Sequence, residues 1–138
     1  MKLIVAVTGA SGVNLSLKFI ENLPKEIDTY VVFSSSAKTA LKLENNIKIS
    51  KFENDNITVY NDKTISAPIA SGSFGADAMI ILPCSMNTLA KCAVGISDSL
   101  ITRAFSVMLK ERKNIILAPR EMPYNPISLE NMHKLSML

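Results

Sequence analysis

The chain has 138 residues, of which 48% are hydrophobic and 20% are charged. This composition supports one compact domain and excludes a disordered chain. Fifteen basic and twelve acidic residues leave a formal net charge of +3, and no segment is rich in lysine and arginine, so the sequence gives no sign of nucleic-acid binding.

Cysteine and histidine are scarce in this chain. Cys84 and Cys92 lie eight positions apart, and His133 is the single histidine. A structural zinc site usually needs four such ligands, so we predict no metal site and two reduced cysteines in or near the core. No apolar stretch reaches the roughly 18 residues of a membrane span, and the N-terminal one is too short for a signal peptide. We therefore expect a cytoplasmic protein with no membrane span.

Strands and helices are predicted to alternate from the N-terminus. Residues 3–7 form an apolar run that predicts a strand, and the spacing of the next apolar residues predicts a helix that Pro24 ends. The members of that helix's apolar face are Leu15, Leu17, Phe19, Ile20 and Leu23. Residues 29–33 predict a second strand, and "SSSAKTALKLE" predicts a second helix capped by serine. Residues 45–64 are polar and are predicted to form an excursion or edge elements.

The second half of the chain continues this alternation after a loop of small residues at 65–76. Residues 77–83 predict a third strand, and residues 84–95 predict a helix that ends at a glycine. Asp98 or Ser99 is expected to cap the next helix. Residues 114–118 predict a strand buried on both faces, and a last helix is expected from about Ser128.

Strands that are apolar throughout and alternate with helices indicate a parallel sheet covered on both faces. We therefore predict a single α/β domain over residues 1–138. Its architecture should be a Rossmann-like, doubly wound parallel sheet in three α/β/α layers, without internal repeats.

Ligands of open α/β sheets bind at the carboxyl ends of the strands, where four loops of this chain carry small or polar groups. In "TGASG", Gly9 and Gly12 permit a tight turn, and the following helix N-terminus favours a phosphate. "FSSSAK" and "PCSMNTL" place hydroxyls at two further helix starts, and Arg120 of "PREMP" is suited to bind an anion through two hydrogen bonds. Taken singly, these stretches fit an ordinary turn, helix caps and a surface arginine equally well.

Five stretches together resemble one family in order and spacing. They are "VTGASGV", "SAPIASGSF", "ILPCSMNTLA", "SLITRAFSVMLKER" and "APREMP…ISLENM". The sequence is similar to the UbiX-type flavin prenyltransferases, formerly described as 3-octaprenyl-4-hydroxybenzoate or aromatic-acid carboxy-lyases of the flavoprotein superfamily. The resemblance covers nearly the whole chain and is weakest at residues 45–64.

The resemblance implies an enzyme that binds reduced FMN and uses no metal. Such an enzyme transfers a dimethylallyl group from dimethylallyl monophosphate to N5 and C6 of the flavin, which closes a fourth ring. The prenylated FMN then serves a separate UbiD-type decarboxylase of ubiquinone or aromatic-acid metabolism. The resemblance also implies a homo-oligomer, either trimer-based or dodecameric.

The resemblance further implies roles for residues of this chain. The FMN phosphate and ribityl chain would contact Gly9, Ala10, Ser11 and Ser34. The flavin ring would lie against Ser85, Met86, Asn87 and Thr88, with Arg103 and Arg120 close to it. The prenyl phosphate would be held by Ser71, Gly72, Lys110 and Arg120. The groups acting in the reaction would be Glu121, for proton transfer, with Lys110, Arg120, Ser11 and Glu44, the last reaching the site of a neighbouring subunit.

The residues also allow less specific interpretations. Lys110 lies at a predicted helix C-terminus, where the helix dipole favours a cation whatever the function. Arg103 fits a structural salt bridge equally well. Two other protein classes remain open: an FMN-binding oligomer subunit without catalysis, and a flavin-dependent cysteine decarboxylase. The second is disfavoured because such enzymes use an early histidine, and none precedes His133.

The sequence departs from the family at two places. Family members continue beyond the helix that matches the last residues here, into another strand, a segment with a tyrosine and an arginine, and a final helix. We therefore expect a sheet that lacks the last family strand and helix and exposes an edge. Leu15, Ser16 and Lys18 stand where the family usually has tyrosine, glycine and arginine, and Ile65 stands where it often has an aromatic residue.

Overall fold

A computed structural model describes residues 1–45 and 49–138. Its five strands are β1 (Lys2–Val7), β2 (Asp28–Phe33), β3 (Ile57–Asn61), β4 (Ala78–Cys84) and β5 (Asn114–Pro119). Its five α-helices are α1 (Val13–Glu21), α2 (Ser35–Asn45), α3 (Met86–Val94), α4 (Leu100–Lys110) and α5 (Pro126–Ser136). Short 3₁₀ turns lie at Ile49–Phe52, Pro68–Ala70 and Gly72–Phe74. Within this part of the chain, no helix is both long and apolar enough to span a bilayer.

The five strands form one parallel sheet in the order β3-β2-β1-β4-β5. Alternate residues of β1 enter different cores: Leu3 and Val5 pack with the α1 and α2 side chains, whereas Ile4 and Ala6 pack with those of α3 and α4. Helices thus cover both faces of the sheet, and the predicted three-layer, doubly wound fold is confirmed. The chain changes direction across the sheet between β1 and β4, which makes their carboxyl ends the switch point.

Capping side chains set the helix boundaries in the second half of the chain. Ser99, rather than Asp98, caps α4 in a capping box with Thr102, and Gly95 ends α3 in the left-handed conformation. Cys84, predicted to open α3, is instead the last residue of β4. Asn125 caps α5 and Pro126 occupies its first turn, so α5 begins two residues before the predicted Ser128.

The prediction that the strand at residues 114–118 is buried on both faces is wrong. β5 is an edge strand, and the Ile116 side chain is 60% exposed. Ile115 and Leu117 pack against the α3–α4 core. The core on the opposite face reaches Ala78 and Ile80 of β4 and, among the described residues, includes none of β5. The apolar run therefore predicted the strand correctly, but it did not predict that helices cover only one face of it.

The predicted apolar face of α1 is only partly right. Leu17 and Ile20 are buried, whereas Leu15 is 60% exposed and Ser16 is buried. Ser16 is tolerated inside because its hydroxyl donates a hydrogen bond to the Leu82 carbonyl of β4. β3, from the predicted polar segment, is the other edge strand, as expected; residues 46–48 of that segment lie outside the described residues.

Candidate functional site

Thr8 joins the carboxyl ends of β1 and β4. Its side chain is 1% exposed, its hydroxyl donates to the Pro83 carbonyl at 2.7 Å, and the same oxygen accepts from the Ser85 amide at 2.8 Å. These bonds hold the loop at residues 8–12 beside the start of α3. Thr8 was not predicted as a site residue; the signal that could have identified it is a lone hydroxyl at the end of an apolar strand, directly before the first glycine.

The two predicted glycines of this loop act in different ways. A Cβ on Gly9 would overlap the Ser36 side chain and lie 3.0 Å from the Ser36 carbonyl carbon, so a glycine is needed for contact with α2. Gly12 has φ +100° and forms the N-cap of α1. It has no side chain with which to cap the helix, and the start of α1 lies beside the exposed Ser11 and the half-buried Ala10. Such a turn can accept a phosphate.

A cavity of about 300 Å³ opens at the carboxyl ends of the strands and gathers four predicted flavin contacts. Those four are Ser34, Ser85, Asn87 and Thr88, joined by Ser35, Ser36, Asp62, Lys91, Ser99, Ile101 and Thr102. Hydroxyl and amide groups dominate this lining, and the volume is at the lower end of the about 300–1,000 Å³ usual for small-molecule sites. The lining therefore offers hydrogen-bonding partners suited to a polar ligand with hydroxyls and a phosphate.

Several of the cavity's hydroxyls also cap helices. The Ser34 hydroxyl accepts a hydrogen bond from the Ala37 amide at 3.1 Å, and the Ser85 hydroxyl accepts one from the Thr88 amide at 3.3 Å. Each hydroxyl keeps further hydrogen-bonding capacity, since a serine oxygen has two lone pairs and one proton. The capping bonds fix where the oxygens lie before any ligand arrives.

Two carboxylates near the cavity were not predicted as site residues, although Asp98 was predicted as a possible helix cap. Asp62 accepts from the Ile101 amide at 2.9 Å, so the first turn of α4 is capped from another element. Asp98 pairs with Lys91 at 2.7 Å, and the hydrogen bond from that ammonium lowers the pKa of Asp98. Asp62 and Ser99 therefore already accept hydrogen bonds from N–H groups at the start of α4.

A larger cavity of about 540 Å³ lies elsewhere, between α4, β5 and the end of α5. Its lining combines apolar side chains, such as Phe105 and Leu109, with the polar Arg112, Lys113 and Asn114. It contains none of the predicted site residues. We place the candidate site in the smaller cavity because that one gathers four of the predicted flavin contacts at the carboxyl ends of the strands.

Arg120 and Glu121 follow β5 at the same end of the sheet. The Arg120 amide donates a hydrogen bond to the carbonyl of Cys84, the last residue of β4, at 3.3 Å. The backbone of Arg120 therefore lies next to Ser85, which directly follows Cys84. Both side chains are exposed, and the Glu121 carboxylate accepts from the Met122 amide at 3.3 Å. Their backbone therefore lies at the predicted edge of the site.

Ser71, Gly72 and Lys110 form a second group, away from this cavity. A Cβ on Gly72 would lie 3.3 Å from Lys110 Nζ, so these two predicted phosphate ligands are adjacent. The segment that holds Gly72 leads into the amino end of β4, where the Asp77 amide donates to the Lys2 carbonyl at 2.9 Å. Seven residues of β4 separate that end from Ser85, or about 20 Å at the usual rise per residue. A single chain therefore does not bring Lys110 together with Arg120.

The remaining predicted residues are distributed around these two groups. Arg103 Nε donates to the Ala70 carbonyl at 3.2 Å, tying α4 to the segment before Ser71, and it joins no ion pair among the described residues. Met86 is half-buried against the α3–α4 core. Glu44 belongs to α2, but its side chain lies outside the described residues.

The cysteines are structural. Cys84 and Cys92 are free and buried, and burial raises the pKa of each thiol to about 12. Both are therefore protonated near neutral pH. Within the described residues, no group of three or more His, Cys, Asp or Glu side chains is placed to hold a metal ion.

Comparisons with known proteins add to this geometry. A family model described as Flavoprotein matches residues 1–138. The flavin prenyltransferase UbiX of Thermoplasma acidophilum is 47% identical over 136 residues, which cover 99% of this chain and 75% of that one. The crystal structure of a dodecameric FMN-dependent UbiX-like decarboxylase from Escherichia coli O157:H7 superposes with a TM-score of 0.91 at 40% identity, covering 99% of this chain and 76% of that one. The crystal structure of a UbiX in complex with FMN and dimethylallyl pyrophosphate superposes with a TM-score of 0.92 at 40% identity. The match covers 99% of this chain and 73% of that one.

Proposed function

This chain belongs to the flavoprotein family and, within it, to the UbiX-type flavin prenyltransferases, and we propose that it transfers a dimethylallyl group to N5 and C6 of reduced FMN. The product is prenylated FMN, which a UbiD-type decarboxylase would consume. The observation that carries the proposal is the hydroxyl-lined cavity at the β1–β4 switch point, in a chain with this family membership.

The carboxyl end of the sheet is the flavin end in this proposal. The first turn of α1, with Ser11 and the Ser34 hydroxyl, holds the FMN phosphate through N–H and O–H donors. The start of α3, from Ser85 to Thr88, and the Arg120 backbone border the ring. The hydrogen bonds of Thr8 support this site because they fix both loops relative to each other.

The amino-end group Ser71, Gly72 and Lys110 holds the prenyl phosphate in this proposal. Because it lies about 20 Å from the flavin end of its own chain, the two groups act together only across copies. We therefore propose a homo-oligomer in which Lys110 of one copy faces the flavin end of another. One structural relative is a dodecamer, which supports an oligomer without fixing the number of copies here.

The charges of both groups suit this chemistry. The bond between C1 of the dimethylallyl group and its phosphate oxygen breaks as the C1–N5 bond forms, and negative charge develops on the departing phosphate. The Lys110 ammonium and the Arg120 guanidinium stabilise that charge, so the proposal needs no metal. The flavin supplies the nucleophilic atoms. N5 would lose its proton as it is alkylated, and a proton would have to add to C2 of the prenyl double bond before C3 can bond to C6. In this proposal the Glu121 carboxylate would accept the proton that C6 then loses, and the net proton released would leave with the phosphate.

The proposal is tested by incubating the protein with dithionite-reduced FMN and dimethylallyl monophosphate under argon. We expect a flavin heavier by one C₅H₈ unit in the mass spectrum, together with free phosphate. A parallel reaction with dimethylallyl pyrophosphate distinguishes the two phosphate forms. A protein that purifies yellow but gives neither product would instead be an FMN-binding subunit without catalysis.

A further inference from the structure

Glu111, which the sequence analysis did not single out, lies within the amino-end group. Its carboxylate accepts a hydrogen bond from the Lys110 ammonium. A Cβ on Gly72 would overlap this same carboxylate. Ser71, Gly72 and Glu111 also line one small cavity. The carboxylate therefore occupies the space directly over the Ser71–Gly72 turn.

Gly72 lies against the Glu111 carboxylate, and its backbone conformation does not require glycine. The glycines with positive φ among the described residues are Gly12, Gly75 and Gly95, and Gly72 is not one of them. The nearest neighbours of position 72 are the ends of the Glu111 and Lys110 side chains, and the Glu111 carboxylate is the closer of the two.

The charge of Glu111 matches this position. The hydrogen bond and charge of Lys110 lower the pKa of the Glu111 carboxyl, so it is ionised near neutral pH. The Lys110 side chain is 65% exposed and that of Glu111 is 39% exposed, so neither is locked in place. An ion pair of this exposure is weak and can exchange partners.

We propose that Glu111 is an internal competitor for the phosphate of the substrate, holding Lys110 over the Ser71–Gly72 turn until a dianionic phosphate monoester displaces it. This inference rests on the proposed function for the identity of the displacing group. A phosphate monoester carries nearly two negative charges at neutral pH and three acceptor oxygens, whereas the carboxylate carries one charge and two oxygens. A singly charged anion has the same charge as the Glu111 carboxylate, so it gains no advantage in binding Lys110 and does not displace Glu111. The residue thereby makes the site selective for phosphate monoesters.

The experiment measures binding of inorganic phosphate and of acetate to the protein by calorimetry at pH 8, without flavin. Glu111→Gln keeps the size of the side chain and removes its charge. The matched control is Glu21→Gln, which removes the carboxylate of another half-exposed ion pair, that with Lys51 at 3.6 Å. Turnover with dimethylallyl monophosphate is measured on the same three proteins.

We expect Glu111→Gln to bind phosphate about five- to twentyfold more tightly than the unaltered protein, and to gain measurable affinity for acetate. The KM for dimethylallyl monophosphate should fall, the KM for FMN should stay the same, and Glu21→Gln should behave as the unaltered protein. Unchanged or weaker phosphate binding in Glu111→Gln, or no phosphate binding in either protein, would overturn the inference. Phosphate binding that tightens without any prenylated product would leave the inference standing and reject the proposed function.

Discussion

The two ends of the sheet carry different kinds of chemistry. At the carboxyl end, the polar groups are short side chains that already cap helices or bridge strands, such as Thr8, Ser34 and Ser85. At the amino end, the polar groups are the long, exposed side chains of Lys110 and Glu111. The first end is preorganised for one ligand. The second presents mobile charges, which suits a group that faces another copy and takes up a phosphate.

The largest effect is expected from a change at the amino end. Lys110→Met removes the cation that stabilises the departing phosphate, so kcat should fall by about 10²-fold or more. Affinity for FMN, measured by fluorescence quenching, should change little because in this proposal Lys110 holds the prenyl phosphate and does not contact FMN. Lys134→Met is the matched control, since Lys134 is likewise an exposed lysine in the last turn of its helix. An unchanged kcat in Lys110→Met would contradict the role assigned to Lys110.

A change of shape at the carboxyl end should lower stability and FMN affinity, in contrast to Lys110→Met, which should lower kcat. In Gly9→Ala, the new Cβ collides with Ser36, including its backbone, and we expect a loss of about 1–3 kcal/mol in the free energy of unfolding. FMN affinity should fall with it because the loop at residues 8–12 moves. Adding Ser36→Gly removes most of the colliding atoms, so part of both losses should be recovered in the double variant. Normal FMN affinity in Gly9→Ala would show that this loop does not position the cofactor.

Thr8 tests the carboxyl end through hydrogen bonding rather than shape. Thr8→Val keeps the volume but leaves the Pro83 carbonyl and the Ser85 amide without their partner, which should cost about 1–3 kcal/mol of stability in urea unfolding. Thr8→Ser retains the hydroxyl and should lose less. Equal stability of the two variants would show that the bridge does not hold β1 and β4 together.

The smallest effect concerns the buried thiols on the α3–α4 face. Their pKa is about 12 in the fold, above the value of 9.0 for a free thiol, so the fold favours the neutral form. The stabilisation is complete below pH 9 and is lost as pH rises from 9 towards 12. Between pH 8 and pH 10, the protein should lose about 1 kcal/mol per thiol, and Cys84→Ala should lose correspondingly less. If urea unfolding showed the same pH dependence for Cys84→Ala as for the unaltered protein, the raised pKa assigned to Cys84 would be refuted.

The strands and helices could be predicted from sequence because apolar runs and capping residues are local signals. Gly95, which ends α3, and Ser99, which caps α4, are examples. The exposure of Ile116 could not be predicted in this way, since it depends on which strand lies beside β5. Thr8 and Asp62 were missed because their partners are distant in sequence. The separation of Lys110 from Arg120 was predictable in principle, because residues that precede a parallel strand lie at its amino end, while those that follow lie at its carboxyl end. Motif resemblance alone does not contain that information.

Mixing two inactive variants tests most directly whether the two ends act together across copies. Lys110→Met lacks the amino-end cation and Arg120→Met lacks the carboxyl-end cation, and each should be nearly inactive alone. When the two are co-expressed, some contacts between copies join an intact Lys110 to an intact Arg120, and we predict prenylated FMN well above the level of either variant. Mixed oligomers that remain as inactive as the separate variants would contradict the account.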